Sequence, residues 1–256
     1  MKTIDYPFLL KELQRAAREA GKEVMKIYAK SLDVSYKTDG SPVTLADQAA
    51  ENVILPVLRE IAPQIPIVSE ESEVSHTLLA AEQFFLVDPL DGTKEFLKQD
   101  GLGSFTVNIA LIENKLPTLG IVYAPALGRM FYASTVTGAF EDSDGEPKSI
   151  TIRDIPASGT VAVTSVSHRD KPTNNWLRDN NISQTTSIGS SLKFCLVACG
   201  EADVYPRFGP TMEWDTAAGD AVLRAAGGRV AQPDDSAFEY GKENYRNGPF
   251  IAHGNL

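Results

Sequence analysis

The chain has 256 residues, and 24 Lys+Arg against 34 Asp+Glu leave a formal net charge of −10. With 43% hydrophobic and 23% charged residues it has the make-up of a globular protein, which excludes intrinsic disorder as the main state. The acidic balance argues against broad nucleic-acid binding, which needs basic surface to displace counterions, while leaving room for a local positive pocket. Cys195 and Cys199 cannot make a disulfide framework for a chain this size, and their i, i+4 spacing on an apolar segment reads as core packing. No apolar run reaches the roughly 18 residues that span a bilayer, and Met1–Pro7 lacks an apolar signal region. A soluble, cytoplasmic protein is therefore expected.

In chain order, Leu9, Leu13, Ala16, Ala17, Ala20, Val24 and Ile27 recur at helical spacing and predict a helix over Phe8–Tyr28. A second amphipathic helix is predicted over Thr44–Ile61, with Pro56 expected to kink or divide it. The period then shortens. Ile65–Ser69, Phe84–Val87, Phe105–Ile112, Leu119–Tyr123 and Met130–Ala133 read as strands, and the turns at 113–115 and 126–128 suggest antiparallel pairing. The polar, turn-rich stretch from Asp142 to Pro147 places a lobe boundary there, separating an α+β lobe (1–146) from an α/β lobe (147–256). In the second lobe a strand is predicted over Thr160–Ser165. Helices follow near Thr173–Asp179, Ser190–Ala198 and Asp215–Ala226, with strands near Val204 and Phe250–Ala252. No fixed-period repeat or low-complexity tract interrupts this order, which describes a layered α+β or α/β architecture.

The chemistry concentrates in Phe84-Phe85-Leu86-Val87-Asp88-Pro89-Leu90-Asp91-Gly92-Thr93. An apolar strand delivers Asp88 to its end, Pro89 stops the ladder, and the turn brings Asp91 back beside it. Two carboxylates this close repel, and one takes up a proton unless a cation lies between them. Mg²⁺ is the simplest such cation, since it takes hard oxygen ligands and leaves positions for water and phosphate. Gly92 and Thr93 follow where a helix can start and offer N–H groups to an anion. A turn with an Asp helix cap explains the same residues. Ser69-Glu70-Glu71 follows a strand, and Glu213-Trp214-Asp215-Thr216 precedes an alanine-rich helix; solvated glutamates and an N-capping aspartate are the plainer readings of each. Together the three acidic elements form the constellation of a two-metal phosphoryl-transfer site. Asp47, on the first turn of the second helix, either favours that helix's dipole or accepts a hydrogen bond from the Thr93 hydroxyl, making Thr93 a relay that orients and deprotonates the attacking water.

Asp88-Pro89-Leu90-Asp91-Gly92-Thr93 with Trp214-Asp215-Thr216-Ala217-Ala218-Gly219 resembles the inositol monophosphatase superfamily of Mg²⁺-dependent, lithium-sensitive phosphomonoesterases. Ser41–Thr44, Ser69–Glu71, Lys94-Glu95-Phe96, Phe105–Leu111 and Gly189–Cys195 resemble, within it, the 3′(2′),5′-bisphosphate nucleotidases of the bacterial CysQ type, over about residues 37–228. The resemblance implies a two-lobed αβαβα sandwich with the site between the lobes. It also implies two or three Mg²⁺ ions held by Glu70, Asp88, the Leu90 carbonyl, Asp91 and Asp215, with Asp47 and Thr93 as the catalytic pair. Glu70 rather than Glu71 matches the family ligand, a choice that residue chemistry leaves open. The segment 98–104 looks slightly longer than is usual for the group, which bears on loop closure and not on the ligands.

The implied substrate is adenosine 3′,5′-bisphosphate, cleaved in line to AMP and phosphate with no covalent enzyme intermediate, a reaction tied to sulfate assimilation. Glu70, Leu90, Asp91, Gly92, Thr93 and Asp215 would meet the scissile phosphate. Ser190, Ser191 and Lys193 offer hydroxyls and a cation to a second phosphate, and Arg207 is a further candidate. His168 either contacts the nucleotide or is an ordinary loop histidine. Inositol monophosphate and fructose 1,6-bisphosphate are the sister specificities, and a non-catalytic bisphosphonucleotide sensor is the reading of another class. A phosphoaspartate mechanism is disfavoured because Asp-Pro-Leu-Asp lacks the usual Asp-x-Asp spacing. A monomer or a homodimer, with no nucleic-acid polymer as partner, is expected, and peripheral contact with the inner membrane stays open.

Overall fold

In the computed structural model the described residues are 4–29, 34–36, 42–77, 80–98, 103–143, 145–167 and 169–256, with the backbone alone described at 34–36 and 42–44. Helix α1 (Tyr6–Tyr28) starts at Asp5, whose side chain accepts the Phe8 N–H. Strands β1 (Val34–Tyr36) and β2 (Pro42–Thr44) form a small antiparallel pair and lead into α2 (Leu45–Ile61). Pro56 does not divide α2. It removes the donor that the carbonyl of Asn52 would use, but both residues are exposed, so water can replace that bond.

Strands β3 (Ile67–Ser69) and β4 (Gln83–Asp91) come next, followed by the short helix α3 (Thr93–Lys98). The sheet continues through β5 (Thr106–Glu113), β6 (Leu116–Ala124), β7 (Arg129–Ser134), β8 (Gly138–Ser143) and β9 (Glu146–Ser149). These seven strands lie in sequential order, β3 parallel to β4 and every later pair antiparallel. The stretch expected to divide the lobes is a tight hairpin instead: Ser143 pairs with Glu146, Gly145 turns at φ +84°, and its N–H meets Asp142. The boundary placed after residue 146 therefore falls inside β9.

The remainder comprises β10 (Val161–Ser165), α4 (Lys171–Asp179), β11 (Gln184–Ile188), α5 (Leu192–Ala198), β12 (Val204–Arg207), β13 (Thr211–Met212), α6 (Ala217–Ala225), β14 (Arg229–Ala231), β15 (Arg246–Asn247) and β16 (Phe250–His253). A second sheet runs β11-β10-β12-β16-β14, and β13 pairs with β15 apart from it.

The layers follow from the two-residue period of strand side chains. Phe85, Val87, Ile109 and Leu111 face α1 and α2, while Phe84, Leu86, Ala110 and Ile112 face the opposite way, into a core shared with Phe194 of α5 and Val222 of α6. Tyr205, Phe250 and Ala252 of the second sheet close that same core, and Val204 and Ile251 point outward to Leu177 of α4. The order is helices, sheet, helices, sheet, helix: the expected αβαβα sandwich. Both cysteines sit on α5 or at its end, Cys195 fully buried and Cys199 partly so, as core packing requires.

Gly120 of β6 allows α6 to lie against the sheet, because a Cβ there would stand 2.4 Å from the Ala218 carbonyl oxygen and 2.7 Å from Ala221. Backbone cannot yield as a flexible side chain would. Gly120→Ala should lower unfolding stability by about 1–3 kcal/mol in chemical denaturation. Gly248→Ala, where nothing lies within 4 Å of the added carbon, should stay within about 0.5 kcal/mol. Equal effects at the two positions would refute this account of the helix–sheet contact.

Candidate active site

The site forms where β3 and β4 end side by side. Ser69 is in register with Val87, and the Glu70 N–H donates to the Val87 carbonyl at 3.1 Å, so Glu70 emerges next to Asp88. Pairing of β4 with β5 slips between Asp88 and Asp91, as Pro89 predicts, and both acids are delivered at one strand end. Gly92 then turns at φ +89° into α3, with an added Cβ 3.2 Å from the Ser104 carbonyl. The third acidic element, a turn at Glu213–Asp215 between β13 and α6, brings Asp215 across from the far side. Carboxylate oxygens of Glu70, Asp88 and Asp215 lie within 4.8 Å of one another.

Each acid has a fixed orientation. Asp88 Oδ1 accepts the Leu90 N–H at 3.0 Å, Asp215 Oδ2 accepts the Met212 N–H at 2.8 Å, and Asp91 Oδ2 accepts the Ser191 N–H at 2.6 Å. Asp88 Oδ2 is buried with no hydrogen-bond partner among the described residues. Burial first, then the neighbouring carboxylates, push Asp88 and Asp215 well above the usual carboxylate range. Burial raises Asp91 to about 6 against the pull of Lys193 and the Ser191 N–H. Like charges this close, with one buried oxygen unpartnered and a donor set made only of carboxylates, fit a hard divalent cation.

Asp47 is 2% exposed on the first turn of α2, and its charge adds to the upward push on Asp88. The Thr93 hydroxyl donates to the Leu90 carbonyl at 3.2 Å. A cavity of about 290 Å³ opens over the acids; Glu70, Asp91, Gly92, Thr93 and Asp215 line it together with Ser190, Lys193, Tyr205 and Arg207. Lys193 is buried, which lowers its pKa to about 8 against the pull of Asp91, and its Nζ donates to the Ser190 carbonyl at 2.5 Å. Arg207 is buried too, its guanidinium held by the carbonyls of Gly209 and Pro210. Ser190 lines the cavity in a left-handed conformation, φ +52°.

Ser191 is placed differently from expectation. It does not line the cavity; its hydroxyl donates to Asn108 at 2.7 Å and lies 2.9 Å from Thr106 Oγ1, while its N–H holds Asp91. It orients an acid and offers no hydroxyl to a ligand. His168, residues 37–41 and residues 99–102 lie outside the described residues.

Several residues of the site were given no role by the sequence. Glu95 lines the cavity and accepts the Ser167 hydroxyl at 2.5 Å. His76 stacks on Trp214 with ring centroids 4.7 Å apart and donates through Nε2 to the Ser69 carbonyl at 2.8 Å, bridging the segments that carry Glu70 and Asp215. Tyr205 is flanked by a predicted strand and Arg207, a signal that was there to be read. His76 carried none.

The family model for the inositol monophosphatase family matches residues 6–254. The 3′(2′),5′-bisphosphate nucleotidase CysQ of Salmonella typhimurium is 47% identical over 246 residues, covering 94% of this chain and 98% of that protein. The Haemophilus influenzae protein of the same name is 31% identical, covering 90% and 86%. Among solved structures, CysQ from Bacteroides thetaiotaomicron superposes with a TM-score of 0.86 at 36% identity, covering 99% of this chain and all of that one. The inositol monophosphatase from Anabaena gives 0.77 at 28%, covering 98% and 92%. With nearly its whole length matched by the family model and its carboxylates gathered as a hard cation requires, the chain belongs to the inositol monophosphatase family.

Proposed function

We propose that the chain is a Mg²⁺-dependent 3′(2′),5′-bisphosphate nucleotidase that removes the 3′-phosphate of adenosine 3′,5′-bisphosphate, giving AMP and phosphate, a recycling step of sulfate assimilation. One observation carries it: a single cavity is lined both by acids, Glu70, Asp91 and Asp215, and by two buried cations, Lys193 and Arg207. A nucleotide with two phosphates needs both the acids and the cations, whereas a monophosphate needs only the acids. The enzyme named CysQ in Salmonella typhimurium, 47% identical, bears the same activity in its name.

Glu70, Asp88, Asp91, Asp215 and the Leu90 carbonyl would hold two or three Mg²⁺ ions. When bound, these supply positive charge that polarises the ester and makes water acidic. The protein's own part is placement and proton movement. Backbone N–H groups of Gly92 and Thr93 hold the scissile phosphate. Thr93 Oγ1 takes a proton from the attacking water and passes its own to the Asp47 carboxylate, which is buried 2% exposed where it can act as the base. For this the Thr93 hydroxyl turns from the Leu90 carbonyl it now faces. Attack is in line, the bond from phosphorus to the 3′ oxygen breaks, that oxygen takes a proton from solvent water to become the 3′-hydroxyl of AMP, Asp47 returns its proton to solvent, and no enzyme residue is phosphorylated. Lys193, Ser190 and Arg207 hold the 5′-phosphate and set its distance from the reacting one.

Asp91→Asn should lower kcat by about three orders of magnitude or more while circular dichroism and melting stay native-like, since a neutral amide cannot replace a ligand charge. Near-normal turnover would remove the metal assignment. Lys193→Ala should raise KM for adenosine 3′,5′-bisphosphate far more than for 3′-AMP, and equal effects on the two would remove the distal phosphate site. A third expectation comes from the acids' protonation. Folding raises Asp91 from its ordinary 3.8 to about 6, so its contribution to stability is complete below pH about 4 and is lost as pH climbs through 6. In EDTA the melting temperature should therefore fall between pH 5 and 7, and saturating Mg²⁺ should abolish that fall. A rise over the same window in EDTA would contradict the repulsion among the acids.

A further inference from the structure

The turn that carries Asp215 has no long element of its own. It spans Glu213–Asp215, between the two-residue strand β13 and α6. What fixes it comes from thirty residues downstream. The side-chain amide of Asn247, 4% exposed at the end of β15, points at both ends of the turn. Its Nδ2 lies 3.1 Å from Thr211 Oγ1 and 2.8 Å from the Met212 carbonyl before the turn, and 3.0 Å from Thr216 Oγ1 after it. An amide nitrogen carries two hydrogens, and the two carbonyl- and hydroxyl-bearing sides of the turn share them. The Met212 carbonyl can only accept, which assigns the donor end of the amide to this position. Met212 is the residue whose N–H orients Asp215 Oδ2, and Thr211, Asp215 and Thr216 all line the cavity.

We infer that Asn247 is the positioning residue for Asp215: it clamps the two ends of the turn so that the Asp215 carboxylate is held against Glu70 and Asp88 despite their repulsion. The Oδ1 atom of Asn247 is buried without a partner among the described residues, and the side chain serves this turn through its nitrogen. A leucine-like group would fill the same space, but it would leave the Met212 carbonyl without its donor. The clamp acts on ligand geometry rather than on the fold as a whole, because β13 and β15 pair only with each other, apart from the two main sheets.

This inference rests on the reading of Asp215 as a metal ligand, and the test separates the two. Mg²⁺ would be titrated calorimetrically, and by its effect on melting temperature, into the wild-type protein and the Asn247→Ala, Asn247→Asp, Asn247→Ser and Asp215→Asn variants, each first melted in EDTA. Loss of a group that orients a ligand costs about 10–100-fold in metal affinity. Asn247→Ala should thus bind Mg²⁺ at least about tenfold more weakly, and Asn247→Asp more weakly still, because it sets an acceptor oxygen against the Met212 carbonyl. Asn247→Ser keeps one donor and should lose only about threefold, the worth of a single hydrogen bond; should the other variants not fold, it alone is read. The kcat at saturating Mg²⁺ should recover toward the wild-type value while the Mg²⁺ requirement stays shifted. Unchanged Mg²⁺ affinity in every folded Asn247 variant overturns the inference, as does a lowered melting temperature in EDTA with Mg²⁺ affinity intact. Unchanged affinity in Asp215→Asn overturns instead the ligand assignment beneath it.

Discussion

Mutual repulsion among buried carboxylates is the constraint around which the rest of the molecule is organised. Asp88 is 1% exposed, its second oxygen has no partner among the described residues, and Glu70, Asp91, Asp215 and Asp47 all press its ionisation in the same unfavourable direction. Charges removed from water cost several kcal/mol each unless paired. The nearby cations relieve this only in part: Lys193 draws Asp91 down and Arg207 draws Asp215 down, yet burial still holds both acids above the usual range, and both cations give N–H groups to backbone carbonyls. A divalent cation is the partner whose charge and ligand preference match what is left.

A fold that brings such groups together has to hold them by means that do not depend on their attraction. Here each acid is tied to backbone from a different source. Glu70 is fixed by the β3–β4 register, Asp88 by the N–H two residues on, Asp91 by the Ser191 N–H at the start of α5, and Asp215 by the turn it sits on. Buried side chains then tie these segments to one another. Glu213, fully buried beside Asp215, accepts the N–H groups of Gly241 and Lys242 and pairs with the Lys242 ammonium at 2.8 Å. His76 holds Trp214 and Ser69 together. Behind them, the core shared by both sheets gives these bonds a rigid base, since close-packed interiors move little.

What could be read from the amino acids alone divides along one physical line. Apolar periodicity gave α1, α2 and the central strands to within a few residues, because burial on one face leaves a repeating trace. Asp88-Pro89-Leu90-Asp91 was legible as chemistry, since a proline that ends a strand between two acids has few other uses. Strand β11, Gln-Thr-Thr-Ser-Ile, was not: it lies at a sheet edge with four of its five residues exposed, so no alternation marks it. The hairpin of β8 and β9 looked like a linker for a similar reason, its polar turn being the visible part. Ser191 was expected to use its hydroxyl on a ligand, and only its placement beside Asn108 of β5 shows that the hydroxyl is already taken. The family resemblance supplied Glu70 over Glu71 and the αβαβα layering, neither of which periodicity decides.

The acids and the cations of the cavity are also coupled, and Asp91 is the link. Burial lowers Lys193 to about 8 and raises Asp91 to about 6, and each works against the other's shift. An ionised Asp91 therefore helps keep the Lys193 ammonium charged at the pH of the cell. Whatever cation satisfies the acids and keeps Asp91 ionised preserves that help, although its own charge opposes it. Under the proposed function, a phosphate at Lys193 would strengthen the ammonium further by direct pairing. Recognition of that anion and readiness of the acids would thus lean on one carboxylate, whose orientation depends on the Ser191 N–H immediately before α5, the helix that carries Lys193. A substitution that shifts α5 should for that reason disturb the acids and the cations together, even where it touches neither.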